Sequence, residues 1–184
     1  MIYGFDFDGT LVKSFTGDPL PGAKAALRPY RAGVETFIAT NQAGPVFRLV
    51  TGAAKYPTVE NVCANIGKSL GLLSFRPDWL VLCCNSGRQG VEWMQAEARI
   101  ASQFHQRLVS ALKAIDYEVT NGPAYRKPQP GMLVAAAEYF GVAIADLVYV
   151  GDMESDEIAA RQAGARFVDA QAWLGGAALP KGDE

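Results

Sequence analysis

The most constraining feature of the sequence is a short apolar run that ends in two carboxylates. Residues 2–7 read Ile-Tyr-Gly-Phe-Asp-Phe, and such a run is typical of a central parallel strand that is covered on both faces. A strand places alternate side chains on the same face, so Asp6 and Asp8 would start out pointing together. Gly9 then lets the backbone leave the sheet and turn Asp8 independently.

The closeness of these two carboxylates points to a function. Two anions at this spacing repel, and a folded protein keeps such a pair for a cation or for a reaction. Asp-Gly is also a common turn dipeptide, so a solvated turn is the alternative interpretation. Because Asp6 stands between two phenylalanines of a predicted buried strand, we favour the functional site.

Strand and helix signals alternate along the rest of the chain. Apolar stretches at 34–39, 78–84 and 147–150 and a last short strand at 167–168 are separated by segments with helical spacing. This alternation predicts an α/β protein with a three-layer Rossmann-like fold, in which a mostly parallel sheet has helices on both faces.

Residues 86–122 differ from the rest of this pattern. Apolar residues recur there at helical intervals among charged and amide residues, which predicts one long amphipathic helix or two shorter ones. A crossover needs only about a dozen residues, so the segment has room for an extra element. We therefore predict a single domain over residues 1–184 with a helical insertion at about 86–122, either an elaborated crossover or a small lid.

Polar residues follow the predicted strands at their carboxyl ends, where open α/β sheets bind ligands. Thr40 follows the second strand, Asp152 follows the strand at 147–150, and Lys127 lies in a loop before a helix. Taken alone, Lys127 would be a solvated loop lysine, and the acidic residues after position 151 would be ordinary helix N-terminal charges. Because Thr40, Lys127 and Asp152 are all predicted at the same edge of one sheet as Asp6, we favour a common site for the four residues.

Composition and charge limit the function classes. The net charge of −2 argues against nucleic-acid binding through the overall field, and no apolar segment is long enough to span a bilayer. Met1 leads directly into a strand without a leader peptide. The three cysteines form no disulfide framework and no metal-ligand spacing, which predicts buried thiols in a reducing compartment, the cytoplasm.

Four ordered motifs resemble those of the haloacid dehalogenase-like (HAD) phosphohydrolases, and together they span almost the whole chain. They are Phe5-Asp6-Phe7-Asp8-Gly9-Thr10-Leu11, Thr40-Asn41-Gln42, Arg126-Lys127-Pro128, and Gly151-Asp152 with Asp156. Thr-Asn-Gln together with Arg-Lys-Pro-x-x-Gly-Met resembles one subgroup in particular. That subgroup holds histidinol-phosphate phosphatase, heptose-bisphosphate phosphatase and the polynucleotide 3′-phosphatase domain.

The resemblance implies a HAD-type fold and a phosphomonoester hydrolase that forms an aspartyl-phosphate. Asp6 would be the nucleophile, and Asp8 would be first the general acid and then the base. These two tasks need different environments, which the turn at Gly9, a supporting residue, would provide.

The remaining motif residues would bind the substrate's phosphoryl group. Thr40 and Lys127 would contact its oxygens and take part in catalysis, with Lys127 acting electrostatically. Asn41 and Arg126 would contact other parts of the substrate.

The resemblance also implies one Mg²⁺ ion. Asp6, Asp152 and the backbone carbonyl of Asp8 would hold it, and Asp156 would support Lys127 or Asp152 rather than bind the metal. Zinc-containing members of the subgroup carry a Cys-x-Cys pair where this chain has Pro123 and Tyr125. We therefore predict no zinc.

Three functions remain open. The first is a Mg²⁺-dependent phosphatase acting on a small sugar, polyol or nucleotide phosphate. The second is a polynucleotide 3′-phosphatase, which we rank lower because the chain is modestly acidic, with a pI of about 5.5, and because no extended basic and aromatic patch is evident. The third is a non-catalytic binding protein that retains the fold, which the intact acidic motifs disfavour. No membrane partner is expected, and the sequence does not define the oligomeric state.

Overall fold

Strand β1 lies in the interior of an all-parallel sheet, as its apolar sequence predicts. The computed structural model describes residues 1–112 and 114–181, and in these the sheet has six strands in the order β4-β3-β2-β1-β5-β6. The strands are β1 (Ile2–Phe5), β2 (Thr36–Asn41), β3 (Trp79–Cys83), β4 (Asp116–Thr120), β5 (Leu147–Gly151) and β6 (Arg166–Asp169).

Helices cover both faces of the sheet. One face packs against α1 (Ala23–Ala26), α2 (Gly44–Thr51), α3 (Val59–Leu73), α4 (Val91–Ala111) and α7 (Ala170–Leu174). The other face packs against α5 (Gly131–Phe140) and α6 (Glu154–Ala163). The four inner strands are almost wholly buried because a helical layer lies on each side. The prediction of a three-layer Rossmann-like fold is confirmed.

The segment 86–122 contains an element that the sequence did not predict. Its helical part is the single helix α4, whose buried side chains include Ile100, Phe104 and Leu108 in the core. Strand β4 follows and pairs with β3, so α4 connects two parallel strands of the sheet. The pattern of β4 was misread as helical because this edge strand is only partly buried and lacks a continuous apolar run. A role of the segment as a lid stays a prediction.

The parallel register brings the candidate site residues to one edge. Phe5 of β1 is aligned with Ile38 of β2 and with Val150 of β5, so Asp6, Thr40 and Asp152 all lie one or two residues beyond the same level of the sheet. Strand β2 extends to Asn41, two residues beyond the predicted end, so Thr40 lies within the strand rather than after it. In the described ranges, no helix has both the length and the apolar composition to cross a membrane.

Candidate active site

The side chain of Lys127 is the centre of a buried polar network. Its Nζ lies 2.6 Å from Asp6 Oδ1 and 2.6 Å from Asp156 Oδ1, and it donates to Tyr149 Oη at 2.9 Å and to Ala39 O at 3.1 Å. The Tyr149 hydroxyl donates to Ala39 O at 2.8 Å. Burial acts to lower the pKa of Lys127, but the acidic neighbours, Asp6 foremost, hold that pKa well above its usual range. Lys127 is therefore a fixed cation.

Asp6 is placed by the strand that precedes it. Its backbone N–H donates to Val150 O at 2.8 Å and so continues the pairing of β1 with β5. Burial raises the pKa of the Asp6 carboxyl to about 7, and the Lys127 ammonium opposes that rise. A second cation beside this carboxylate would favour its ionised form further.

Asp8 has different partners from Asp6. Its Oδ2 accepts a hydrogen bond from Gln42 Nε2 at 2.6 Å, and the same amide nitrogen donates to Thr40 Oγ1 at 3.1 Å. Burial raises the pKa of Asp8, and the hydrogen bond from Gln42 acts against this rise. No role was predicted for Gln42, although its place directly after Thr40 and Asn41 was an available signal.

The turn that follows Asp6 and Asp8 requires glycine at position 9. Gly9 has φ +86°, and a Cβ there would lie 2.2 Å from Asp152 Oδ2. The next residue, Thr10, donates from Oγ1 to Asp152 Oδ1 at 3.1 Å. The turn after β1 thus leaves room for the carboxylate that follows β5 and also binds it.

Three carboxylates meet beside Lys127 in an arrangement that suits a divalent cation. One oxygen from each of Asp6, Asp152 and Asp156 lies within 4.8 Å of the other two. With Lys127, the three carboxylates carry a formal net charge of −2, and carboxylate oxygens are the ligands that Mg²⁺ prefers. The group differs from the predicted set in one side chain, because it contains Asp156, which was expected to support Lys127 or Asp152 rather than to bind the metal. The roles of these residues in metal binding stay predictions.

The side chain of Asn41 is engaged by the protein. Its Nδ2 donates to Lys127 O at 3.2 Å, and its Oδ1 accepts from Lys127 N at 3.2 Å. Both ends of the amide therefore hold the backbone of the lysine. The predicted contact of Asn41 with substrate stays a prediction, whereas its contact with the Lys127 loop is a feature of the fold.

Arg126 is directed to a loop that a buried glutamate fixes. Its Nη1 donates to Asn85 O at 2.7 Å. Glu97 of α4, which is 3% exposed, accepts hydrogen bonds from Ser86 N at 2.7 Å, Ser86 Oγ at 2.6 Å and Asn85 Nδ2 at 3.1 Å. Sequence reasoning missed Glu97, because it resembles the other charged residues of an amphipathic helix.

Two adjoining spaces open at this edge of the sheet. The first, which we call the site cavity, has a volume of about 220 Å³ and is lined by Asp6, Thr40, Lys127 and Asp152 among others. The second, the side pocket, has about 250 Å³ and is lined by parts of the loop 7–17, residues 41–44, Pro57 and α3. Asp8, Ser14 and Asn41 line both spaces, whereas Arg126 lines neither.

The fold and these residues define a class, a Rossmann-like α/β protein with a lysine and several carboxylates gathered at the carboxyl ends of its parallel strands. A HAD-hydrolase-like family model matches residues 124–169, the stretch that carries Lys127, Asp152 and Asp156. The resemblance to HAD hydrolases that the four motifs indicated is confirmed by this match together with the fold.

The chain is similar to solved structures, and one of them shows the same fold at a TM-score above 0.5. D,D-heptose 1,7-bisphosphate phosphatase from B. bronchiseptica, complexed with magnesium and phosphate, is 22% identical with a TM-score of 0.57, and the alignment covers 98% of this chain and 89% of that one. 4-Nitrophenylphosphatase from Thermotoga maritima is 15% identical with a TM-score of 0.41, covering 91% and 84% respectively. No curated protein sequence matches the chain.

Proposed function

We propose that the protein is a Mg²⁺-dependent phosphomonoester hydrolase that acts through an aspartyl-phosphate on a small phosphorylated substrate, such as a sugar, polyol or nucleotide phosphate. The observation that carries the proposal is the pairing of Lys127 Nζ with Asp6 Oδ1 at 2.6 Å, at the edge where Asp152 and Asp156 converge. The three buried free cysteines accord with a cytoplasmic setting.

The carboxylates fit the metal that this chemistry needs. Asp6, Asp152 and Asp156 would hold Mg²⁺, and the bound ion would offset the repulsion between an anionic nucleophile and an anionic phosphate. The heptose-bisphosphate phosphatase of B. bronchiseptica, which has the same fold, was solved with magnesium and phosphate. That neighbour supports the choice of metal and of the transferred group.

The first half of the reaction uses Asp6 and Asp8 in separate roles. A carboxylate oxygen of Asp6 attacks phosphorus and forms the acyl phosphate, while the bond from phosphorus to the ester oxygen breaks. The Asp8 carboxyl gives its proton to the departing oxygen. Lys127 stabilises the charge of the transferring group and of Asp6, and Thr40 lies in the same cavity to contact phosphoryl oxygens.

The second half reverses the role of Asp8. Its carboxylate takes a proton from water, and the resulting hydroxide forms a bond to phosphorus. The bond to Asp6 breaks, so that Asp6 returns to a carboxylate and inorganic phosphate is released. Because Gln42 rather than Lys127 binds the Asp8 carboxylate, this group is free of the strong ion pair that would hold it ionised throughout.

The proposal is tested by phosphate release from a panel of phosphomonoesters with Mg²⁺ present. Asp6→Asn should lower kcat/KM by at least about 10³-fold, since it removes the nucleophile. Asp146→Asn, the same change at an exposed position, serves as the matched control and should leave activity unchanged. Hydrolysis that persists in Asp6→Asn, or that does not require a divalent cation, would contradict the proposal.

A second measurement separates the two aspartates. Asp8→Asn should slow alkyl phosphates by about 10²–10⁴-fold, the usual contribution of a general acid. It should slow 4-nitrophenyl phosphate less, because that leaving group needs no proton. Equal slowing of both esters would remove the general-acid role from Asp8. A 3′-phosphorylated oligonucleotide in the same panel tests the second-ranked function, and its preferred hydrolysis would overturn the small substrate.

A further inference from the structure

We propose that the side pocket binds the leaving group of the substrate, and that this group is small, uncharged and partly apolar, without a second phosphate or a carboxylate. The inference rests on the proposed phosphomonoester hydrolase. It adds to that proposal the class of ester that the protein accepts.

The position of the side pocket relative to Asp8 gives the first argument. Asp8 lines both the site cavity and the side pocket. The oxygen that receives its proton must lie within hydrogen-bond reach of that carboxyl group. The phosphoryl group occupies the cavity on the Lys127 side of Asp8, so the rest of the ester extends to the other side. The side pocket begins there.

The charge of the pocket walls gives the second argument. Among the residues that the structure describes, no Lys, Arg or His side chain lines the side pocket, and its one charged lining residue is Asp8. The other polar side chains that line it are neutral and include Ser14, Gln42 and Asn65. Hydroxyl and amide groups of this kind form hydrogen bonds with sugar or polyol hydroxyls and leave a second anion without a counter-charge.

Lys127, Arg126 and Lys68, none of which lines the side pocket, have partners elsewhere. Lys127 is bound to the carboxylates of the site cavity, and Arg126 donates to a backbone carbonyl after β3. Lys68 Nζ lies 3.0 Å from Asp18 Oδ1. The pKa of Asp18 is lowered by Lys68 and, less strongly, by Lys13. An anionic leaving group in the side pocket would therefore lose hydration beside Asp8 without gaining an ion pair, which is unfavourable.

The size and apolar walls of the pocket complete the description. Its volume of about 250 Å³ is below the range of roughly 300–1,000 Å³ that holds drug-sized ligands, so it suits one ring or a short polyol. Val62 and Ile66 of α3 form an apolar wall.

Phe15 forms the mouth of the pocket. Its side chain is 79% exposed, and its φ of +68° is an uncommon conformation for a residue with a side chain. Hydrogen bonds from α3, from Asn65 Nδ2 to Phe15 O at 3.2 Å and from Ser69 Oγ to Gly17 O at 2.6 Å, hold the backbone of this loop. An apolar part of the leaving group would cover the Phe15 ring.

The test compares two esters that differ in charge and hardly in size, 4-carbamoylphenyl phosphate and 4-carboxyphenyl phosphate. We expect the wild-type protein to favour the uncharged ester in kcat/KM by at least about tenfold, since an anion next to Asp8 lacks a counter-ion. Asn65→Lys adds a cation to the pocket and should move the preference by at least about tenfold toward the carboxylate. Ala64→Lys, an exposed position on the same helix, adds the same charge outside and should leave the preference unchanged.

The outcomes separate the two proposals. Equal or better hydrolysis of the carboxylate by the wild-type protein leaves the phosphatase standing and overturns the neutral leaving group. Equal shifts in Asn65→Lys and Ala64→Lys mean that the overall field, rather than the pocket, sets the preference, and also overturn it. If Asn65→Lys fails to fold, Ser14→Lys, at an exposed lining residue, replaces it with the same expected shift. Absence of Asp6-dependent hydrolysis of every ester, 4-nitrophenyl phosphate included, defeats the proposed function itself.

Discussion

Replacing Tyr149 with phenylalanine tests how Lys127 is held in place. The hydroxyl of Tyr149 accepts a hydrogen bond from Lys127 Nζ at 2.9 Å and donates one to Ala39 O at 2.8 Å. The ring itself is fully buried and stacks on Phe37, so phenylalanine keeps the packing. The substitution therefore removes one oxygen atom from a buried network and changes little else.

The magnitude follows from counting donors and acceptors around the ammonium. Lys127 has three hydrogens, and without the hydroxyl it still has Asp6, Asp156 and Ala39 O within 2.6 to 3.1 Å. No buried group loses its last partner, so the full penalty for an unsatisfied polar group does not arise. The expected loss is that of one net hydrogen bond, about 1 kcal/mol, which lowers Tm by roughly 2–4 °C in a chain of this size.

Urea unfolding and phosphate release measure the two consequences of Tyr149→Phe. We expect the loss in the free energy of unfolding given above and a decrease of less than about tenfold in kcat, because the lysine stays bound to Asp6. Tyr139→Phe is the matched control, since Tyr139 donates to Asp116 Oδ2 at 2.7 Å at a site that is 44% exposed. A loss above about 3 kcal/mol, or a kcat lowered by about 10²-fold or more, would refute the argument that the carboxylates position Lys127.

Further predictions concern the turn, the metal and the thiols. Gly9→Ala should lower kcat by at least about 10²-fold and raise the Mg²⁺ requirement, because its Cβ would displace Asp152 Oδ2; unchanged Mg²⁺ dependence would contradict this. Mg²⁺ at about 100 times its Kd should stabilise the protein by about 2.7 kcal/mol in thermal melts. The Asp152→Asn variant should lose this stabilisation, and an equal increase of its Tm with Mg²⁺ would argue against metal binding at Asp152. Burial raises the pKa of Cys63 and Cys83 to about 11 and that of Cys84 to about 12. A thiol reagent at pH 8 therefore meets almost no thiolate, and labelling of the cysteines should require urea. Rapid labelling of the native protein would refute the burial of these thiols.

The elements that carry the predicted motifs were readable from sequence because their signals are local. The apolar run before Asp6 predicted a central strand, and the fold places β1 there. Strand β4 was missed because an edge strand is half-solvated, and its residues Asp116–Thr120 lack the continuous apolar run of the inner strands.

The connections among the side chains were less accessible to sequence reasoning. Tyr149 reads as one more apolar residue of a buried strand, and nothing local indicates that its hydroxyl meets Lys127, 22 positions away. The amide of Asn41 was assigned to substrate, whereas the fold directs both of its ends to a backbone. Such contacts depend on which strands are neighbours and which face each side chain takes, and both are fixed only by the assembled sheet.

The central position of β1 has a consequence for folding during synthesis. One edge of β1 pairs with β2, which follows closely, but the other edge pairs with β5, which ends at Gly151. At about 5–20 residues per second, roughly 7–30 s pass between the synthesis of Phe5 and that of Gly151. For that time the apolar strand that carries Asp6 has an open edge, and open apolar edges are where chains associate wrongly. Chains truncated before β5 should therefore aggregate through β1 instead of forming a smaller version of the fold.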